Sequence, residues 1–295
     1  MAATMRVTRI GGRDFRWGSR TYVMGIVNVT PDSFSGDGMA DLTAAIGQAR
    51  QMEQEGADLI DVGGESTRPE TWSGSGLPVE EEMSRVLPAI EGIVAAVGIP
   101  VSVDTYKAAV ADRALAAGAA LVNDVWALRR DPAMGHTVAK YDVPVVLMHN
   151  KPDGIYDDVV LDIAGWFGGA IRRAYEVSIP DAHIILDPGI GFGKTREENL
   201  EIIHRLPELR ELGYPMLIGP SRKSFIGKTL DLPVDERLEG TAAAVALGIA
   251  GGADIVRVHD VKEMVRVARM ADAIVRASPD ASGASVPNER LRRSS

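Results

Sequence analysis

Short runs of Val, Ile and Leu recur along the chain, each followed by a polar loop and then by a stretch whose apolar residues have helical spacing. The strand-like runs cover 22–28, 57–63, 99–104, 119–124, 143–148, 183–187, 215–219 and 253–259. Between and after them, helical stretches are predicted at 41–55, 79–96, 106–117, 132–140, 159–177, 196–212, 238–250 and 261–276. Glycines 56, 98, 118, 213 and 252 stand where helices need a C-terminal stop. Strands that are apolar nearly throughout imply a parallel sheet covered on its outer side, and eight strand–helix units in about 250 residues is the count of a (β/α)8 TIM barrel. Ahead of the first unit, 6–10 and 13–17 flank Gly11-Gly12 and predict an N-terminal β-hairpin able to cover the N-terminal end of the barrel. A doubly wound open sheet is the structural rival. Its dinucleotide glycine signature is missing after the first strand, where Asn28-Val29-Thr30-Pro31 stands instead.

Composition narrows the picture only slightly. A length of 295 residues with 45% hydrophobic and 25% charged residues fits one large globular domain, expected over 1–277. Residues 278–295 are rich in Ser and Arg, have no apolar face, and are expected to form a disordered tail. The net charge of −9 and the lack of a basic tract argue against nucleic acid as a partner. With no cysteine, disulfides, thiolate catalysis and cysteine-held metals are excluded. No apolar run is long enough for a membrane span, so a cytoplasmic protein is expected.

Candidate chemistry sits at the ends of the strand-like runs, where a barrel of this kind places its site. Those ends carry Asn28, Asp61, Asp104, Asn123-Asp124, Met148-His149, Asp187, Ser221-Arg222-Lys223 and Arg257-Val258-His259. In the last run Val256 and Val258 alternate with Ile255, Arg257 and His259, so Arg257 and His259 share one face. A buried Arg needs an anion; an ion pair within the fold and an anionic ligand both satisfy that need. Carboxylates Asp104 and Asp187 with the Asn123 amide suit a flat heterocycle bearing N–H donors and a carbonyl. Gly189, Gly191 and Gly193 resemble a phosphate loop, but a plain chain turn after the sixth strand is the favoured reading. His136 and His149 receive no role, and Trp72 is unexplained.

The stretches MGIVNVTPDSFS (24–35), DLIDVGGESTRP (58–69), VSVDT (101–105), LVNDV (121–125), ILDPGIGFGK (185–194), IGPSRKSFIG (218–227) and VRVHDV (256–261) closely resemble the dihydropteroate synthase family, in the family's order over about 20–275. The resemblance implies condensation of 6-hydroxymethyl-7,8-dihydropterin pyrophosphate with p-aminobenzoate, giving 7,8-dihydropteroate and pyrophosphate, in a cytoplasmic homodimer that sulfonamides target. It implies pterin contacts from Asp104, Asn123, Asp187 and Lys223, a stacked Arg257, and apolar walls from Met148 and Phe192. It further implies Mg²⁺ and pyrophosphate held by Asn28, Arg257 and His259, and a p-aminobenzoate side of Phe34, Thr67, Arg68, Pro69, Lys223 and Ser224. Asp37 is the first-loop candidate for stabilising the reacting intermediate. Here SFSGDG (33–38) stands where SFSDGG is frequent, so Asp32 competes for that role. Glu70-Thr71-Trp72 replaces the usual glycine after Pro69. A pterin-dependent methyltransferase and a non-catalytic pterin-binding paralogue are the alternatives.

Overall fold

The structure, a computed structural model, describes residues 6–29, 38–65, 76–152 and 154–276. A hairpin of β1 (Val7–Ile10) and β2 (Arg13–Arg16) leads into β3 (Tyr22–Asn28). Then come α1 (Gly38–Glu55), β4 (Leu59–Gly63), α2 (Val79–Ala96), β5 (Val101–Asp104), α3 (Ala108–Ala116), β6 (Leu121–Asp124), α4 (Met134–Tyr141) and β7 (Val145–Met148). The second half adds α5 (Val159–Glu176), β8 (Ile184–Asp187), α6 (Arg196–His204), α7 (Leu206–Arg210), β9 (Leu217–Ile218), α8 (Ser224–Leu230), α9 (Leu238–Ala250), β10 (Ile255–Val258) and α10 (Val261–Val275).

The larger sheet runs β8-β7-β6-β5-β4-β3-β10-β9 with every pairing parallel. A further parallel bridge, Leu186 to Met216, joins β8 to the start of β9, so the eight strands form a nearly closed (β/α)8 TIM barrel and the open-sheet rival is excluded. All eight expected strands and eight helical stretches appear. The helix expected over 196–212 breaks at Arg205 into α6 and α7, where Pro207 near the start of α7 lacks the N–H that a continuous helix would need. Helix α8 was not anticipated.

Period-2 alternation divides the strand side chains into two sets. Val23, Ile60, Val62, Val103, Val122, Leu147, Leu186, Ile218, Val256 and Val258 join the outer core beneath the helices. Met24, Leu59, Leu121, Val146, Ile185, Leu217 and Ile255 point inward and form an apolar floor near the N-terminal ends of the strands.

The hairpin closes that end, as its position in the sequence predicts. Gly11 and Gly12 have φ of 53° and 81°, the left-handed pair a two-residue type I′ turn requires. Ile10, Phe15 and Trp17 are buried with the floor residues, and the Phe15 and Tyr22 rings lie 4.6 Å apart. Trp17 Nε1 donates to Thr8 Oγ1 (2.8 Å), which donates to the carbonyl of Ala182 (2.6 Å). Burying one such aromatic contributes about 1.5–3 kcal/mol, so the plug is held mainly by apolar area and only oriented by polar contacts. On the other side Thr21 binds the Asp272 carboxylate of α10 through both its N–H (2.7 Å) and its hydroxyl (2.8 Å), tying the two ends of the described chain together.

Four glycines expected as helix stops (56, 118, 213 and 252) have positive φ; at Gly98 the chain stays out of that region and Val97 caps α2 in extended geometry. The Asp153 position, the first loop over 30–37, the second over 66–75, and the expected tail from 277 onward lie outside the described residues. So do Asp32, Phe34, Asp37, Thr67, Arg68, Pro69 and Trp72.

Candidate active site

Above the apolar floor, the next inward positions turn polar. Asp61 on β4, Ser102 and Asp104 on β5, Asn123 on β6, Asp187 on β8 and Arg257 on β10 form this layer, beside Met148 on β7. All but Arg257 are buried by their accessible surface, and the Arg257 side chain is 17% exposed.

Asp61 is the hub of the layer. Its Oδ2 accepts from Asn123 Nδ2 (2.9 Å) and from Arg257 Nε (2.6 Å), while Arg257 Nη2 donates to Asp104 Oδ2 (2.7 Å). The sequence left an internal ion pair and an anion site both open for Arg257; the internal pair exists, and it is double. Burial works against the Arg257 charge, but Asp61 and Asp104 more than offset it, so the guanidinium is held above its ordinary value. Burial pushes the Asp104 carboxyl up to about 7, with Asp61 reinforcing and Arg257 and Lys223 opposing. It pushes Asp187 up to about 6 against the Gly189 N–H (2.7 Å), Lys223, Lys194 and Arg257. Even so, Asp61 Oδ1, Asp104 Oδ1, Asn123 Oδ1 and Ser102 Oγ are buried with no hydrogen-bond partner among the described residues. Three of these four atoms are acceptors only, and unsatisfied buried acceptors cost about 1–3 kcal/mol each, so the layer is built to receive donors.

One wall beside this layer is apolar. Met148, Phe192 and Val125 pack together with Trp126 and Tyr106 against them. Lys223 Nζ lies 4.1 Å from the Phe192 ring centroid. The loop that presents Lys223 is strained: Arg222 has φ of 56°, a left-handed backbone costing on the order of 1–2 kcal/mol for a residue with a Cβ. Thr241 Oγ1 accepts from its N–H (3.1 Å), and Asp260 accepts from its guanidinium (3.0 Å at Nε), which holds that conformation.

His259 follows β10. Its N–H donates to Ser221 Oγ (3.2 Å), whose hydroxyl lies 3.0 Å from its Nδ1. With the hydroxyl hydrogen on Nδ1, the ring proton resides on Nε2, which becomes a donor. Burial, with Arg257 beside it, draws His259 down to about 4, so it is neutral at pH 7. Asn28 ends β3 in register with Gly63, partly exposed.

Asp104, Asn123, Asp187, Met148, Phe192, Lys223 and Arg257 thus converge as the sequence implied. Ser224 is exposed as the first residue of α8, next to Lys223. Asp124, though adjacent to Asn123, faces away: its carboxylate binds the N–H groups of Trp126 (2.9 Å) and Leu128 (2.6 Å) in the turn after β6. Sequence reasoning named Asp61 only as a strand end. The inward parity it shares with Leu59 was the available signal for its place; its cross-barrel partners were not readable. It also missed Ser221 as the support of His259, and Val125 and Trp126 as wall residues. The three glycines after β8 form a turn, as favoured, with φ of 69°, 83° and 58°.

Residues 24–259 match the family model described as pterin binding enzyme. The dihydropteroate synthase of Bacillus subtilis is 51% identical over 257 residues, covering 87% of this chain and 89% of the relative. That of Clostridium beijerinckii is 51% identical over 270 residues, covering 91% and 99%. Among solved structures, a Clostridium difficile dihydropteroate synthase crystallised with pteroic acid superposes with TM-score 0.85 at 50% identity, covering 88% of this chain and 99% of that one. The Xanthomonas albilineans enzyme in complex with 7,8-dihydropteroate gives 0.84 at 42%, covering 92% and 100%.

Proposed function

We propose, because the chain belongs to the pterin-binding enzyme family and to the dihydropteroate synthases within it, that its barrel mouth condenses 6-hydroxymethyl-7,8-dihydropterin pyrophosphate with p-aminobenzoate. It is a transferase of folate synthesis. The observation that carries the substrate assignment is the layer of buried, unsatisfied acceptors on Asp61, Asp104 and Asn123 beside the Met148–Phe192 wall. A flat ring with several N–H donors answers both features.

In this reading the carboxylates of Asp104 and Asp187 and the Asn123 amide bind the pterin N–H groups, and Lys223 donates to its carbonyl. Arg257 lies on the ring face and, with neutral His259 donating from Nε2, binds the pyrophosphate. The C–O bond to pyrophosphate breaks with its electron pair on the departing oxygen, which Arg257 and His259 stabilise. The methylene cation left on the pterin is favoured by the nearby carboxylates, and the amine nitrogen of p-aminobenzoate attacks it and then loses a proton. By resemblance Phe34, Thr67, Arg68, Pro69 and Ser224 hold p-aminobenzoate, and Asp37 assists the cation. Pyrophosphate release that requires p-aminobenzoate tests the assignment. Pterin binding without release would leave a silent binder, and methyl transfer would leave a pterin-dependent methyltransferase.

Asp104 and Asp187 give the binding step a pH dependence. Their ionised forms accept from the ring more strongly than the neutral acids and present no O–H against its donors. Burial raises both values, so pterin affinity should climb with pH through about 6 to 7 and then level off. One obligatory carboxylate near 7 predicts about a tenfold loss between pH 8 and pH 6. Calorimetry with a pterin lacking pyrophosphate reads this directly; affinity that is flat or falls with pH would contradict it.

Mg²⁺ fits this site only as an ion shared with substrate. Among the described residues no group of three or more His, Asp or Glu could hold a metal. The Asn28 amide offers a single hard, neutral oxygen, and pyrophosphate oxygens and water would complete the shell and neutralise the leaving group. Asn28→Ala should therefore raise the Mg²⁺ needed for turnover while leaving affinity for the plain pterin unchanged. Loss of plain pterin binding would make Asn28 a pocket residue instead.

We also place the single catalytic domain in the cytoplasm, as a homodimer. Among the described residues no helix is long and apolar enough to cross a membrane. The small-residue stretch 240–248 has a face that permits close helix approach, but its end glycines pack within the chain: a Cβ on Gly240 would lie 2.3 Å from Ile226, and one on Gly248 2.1 Å from Ile218. The dimer surface is better sought at exposed Leu247, Met270 and Ile274 on α9 and α10. A second copy would cover this apolar face. Sedimentation at micromolar concentration showing only monomer would refute it.

A further inference from the structure

The loop after β8 closes around a cation that the proposed chemistry leaves unused. From Asp187 to Lys194 the chain turns through three left-handed glycines, and carbonyl oxygens gather at Lys194 Nζ. Those of Gly189 and Phe192 accept at 2.9 and 3.0 Å, and that of His149, from the segment after β7, at 3.4 Å. Of the loop's N–H groups, Gly189 donates to Asp187 Oδ1 (2.7 Å), Gly191 to Asn199 Oδ1 (2.6 Å), and Phe192 shares the Gly189 carbonyl with Lys194 (3.1 Å). Backbones approach so closely that a Cβ on Gly189 would lie 2.0 Å from the His149 carbonyl oxygen, and one on Gly193 2.4 Å from that of Lys151.

Converging carbonyl dipoles repel one another, and the Lys194 ammonium is the group that holds them together. Burial draws it down from its ordinary value to about 7, while Asp187, Glu198 and Asp162 support the charge and Lys223 opposes it. What this clamp presents to the mouth is Phe192, packed on Met148 and Val125 and carrying Lys223 on its ring, and the Asp187 carboxylate one loop-end away.

We infer that Lys194 is a positioning residue for the pterin pocket: by binding the carbonyls of two neighbouring loops it sets Phe192 and Asp187 without touching substrate. The inference rests on the reading of that pocket as the pterin site. A methionine matches the stem in volume but cannot donate, so the loop carbonyls would part and Phe192 would move. Displacement of a positioning group by about 1 Å can cost on the order of 100-fold.

The test compares Lys194→Met and Lys194→Arg with wild type, measuring calorimetric affinity for a pterin lacking pyrophosphate, and kcat and KM for both substrates. The methionine variant should bind the pterin at least about tenfold more weakly and show a matching rise in KM for pterin pyrophosphate, with KM for p-aminobenzoate, at saturating pterin, within about twofold. The arginine variant, which keeps charge and donors, should recover pterin affinity to within about threefold of wild type. Should the methionine variant not fold, Lys194→Leu, which also cannot donate, is read in its place. Wild-type pterin affinity in the neutral variant, an equal rise in both KM values, or no recovery with arginine would overturn the inference. Wild type that binds no pterin and releases no pyrophosphate would instead overturn the assigned function.

Discussion

Arg257→Ala is expected to remove turnover and to destabilise the fold. The side chain is paired to Asp61 and Asp104, whose side chains are 0% and 6% exposed, so its loss strands two buried carboxylates. Removing one partner of a buried ion pair costs on the order of 3–5 kcal/mol, because the remaining charge has neither water nor counter-ion. Part of this cost is avoided if the Asp104 carboxyl, already raised to about 7 by burial, takes up a proton. Adding Asp61→Asn to Arg257→Ala should therefore restore stability without restoring activity, since the guanidinium on the ring and the pyrophosphate is still missing. Urea unfolding of both variants and pterin calorimetry separate the two effects. A single variant within about 1 kcal/mol of wild type would show that the pair carries little stability; unchanged affinity for the pterin pyrophosphate would remove Arg257 from the site.

Lys223→Ala should chiefly damage pterin binding. Its ammonium is the donor set beside Phe192, and losing a charge-assisted hydrogen bond costs about 1.5–3 kcal/mol, or roughly 10- to 150-fold in affinity. A second readout follows from its neighbours. Lys223 lowers both Asp104 and Asp187, so without it both rise further, and the pH at which pterin affinity is half-maximal should move upward. Affinity within threefold of wild type, or a midpoint that stays put or falls, would tell against Lys223 as the pterin donor.

Much of this architecture was legible because a barrel repeats one rule. Apart from Asp124 the strands carry no polar side chain on their outer faces, and apart from Ser102 they are apolar inward until their last residues, so the polar termini at Asp104, Asn123, Asp187 and Arg257 stood out. Elements that depart from the rule were harder to read. The seven-residue α8 is too short to display a period and has Gly227 within it. Pro207, by contrast, was a readable sign that 196–212 would not be one helix. Asp61 joins Arg257 and Asn123 across 196 and 62 residues of sequence, a relation that no local pattern encodes. Lys194 is similar: its ligands are carbonyl oxygens, which every residue possesses, and only the fold determines which three converge. Gly240 and Gly248 illustrate the opposite limit: a small-residue face permits close approach without specifying whether the neighbour belongs to the same chain, and here Ile226 and Ile218 fill it.

The closure of the barrel through β3 and β10 has a consequence for how the chain is made. Tyr22 pairs in register with Ile255, so the neighbour that completes β3 leaves the ribosome roughly 230 residues later. At about 5–20 residues per second that interval lasts on the order of 10–50 s. Throughout it, the uncharged strand Tyr22–Asn28 has β4 on one edge only, and the hairpin's Phe15 and Trp17 lack part of the floor they will cover. An open, apolar edge of this kind invites pairing with other nascent chains. Yet the segment before β3 and the end of α10 meet in the folded chain, with Arg276 Nη1 donating to the Gly18 carbonyl at 2.8 Å. A circular permutant joining α10 to β1 through a short linker, and opened at a loop away from the mouth, would keep the hairpin, deliver β10 and β3 within seconds of each other and shorten the exposure of that edge.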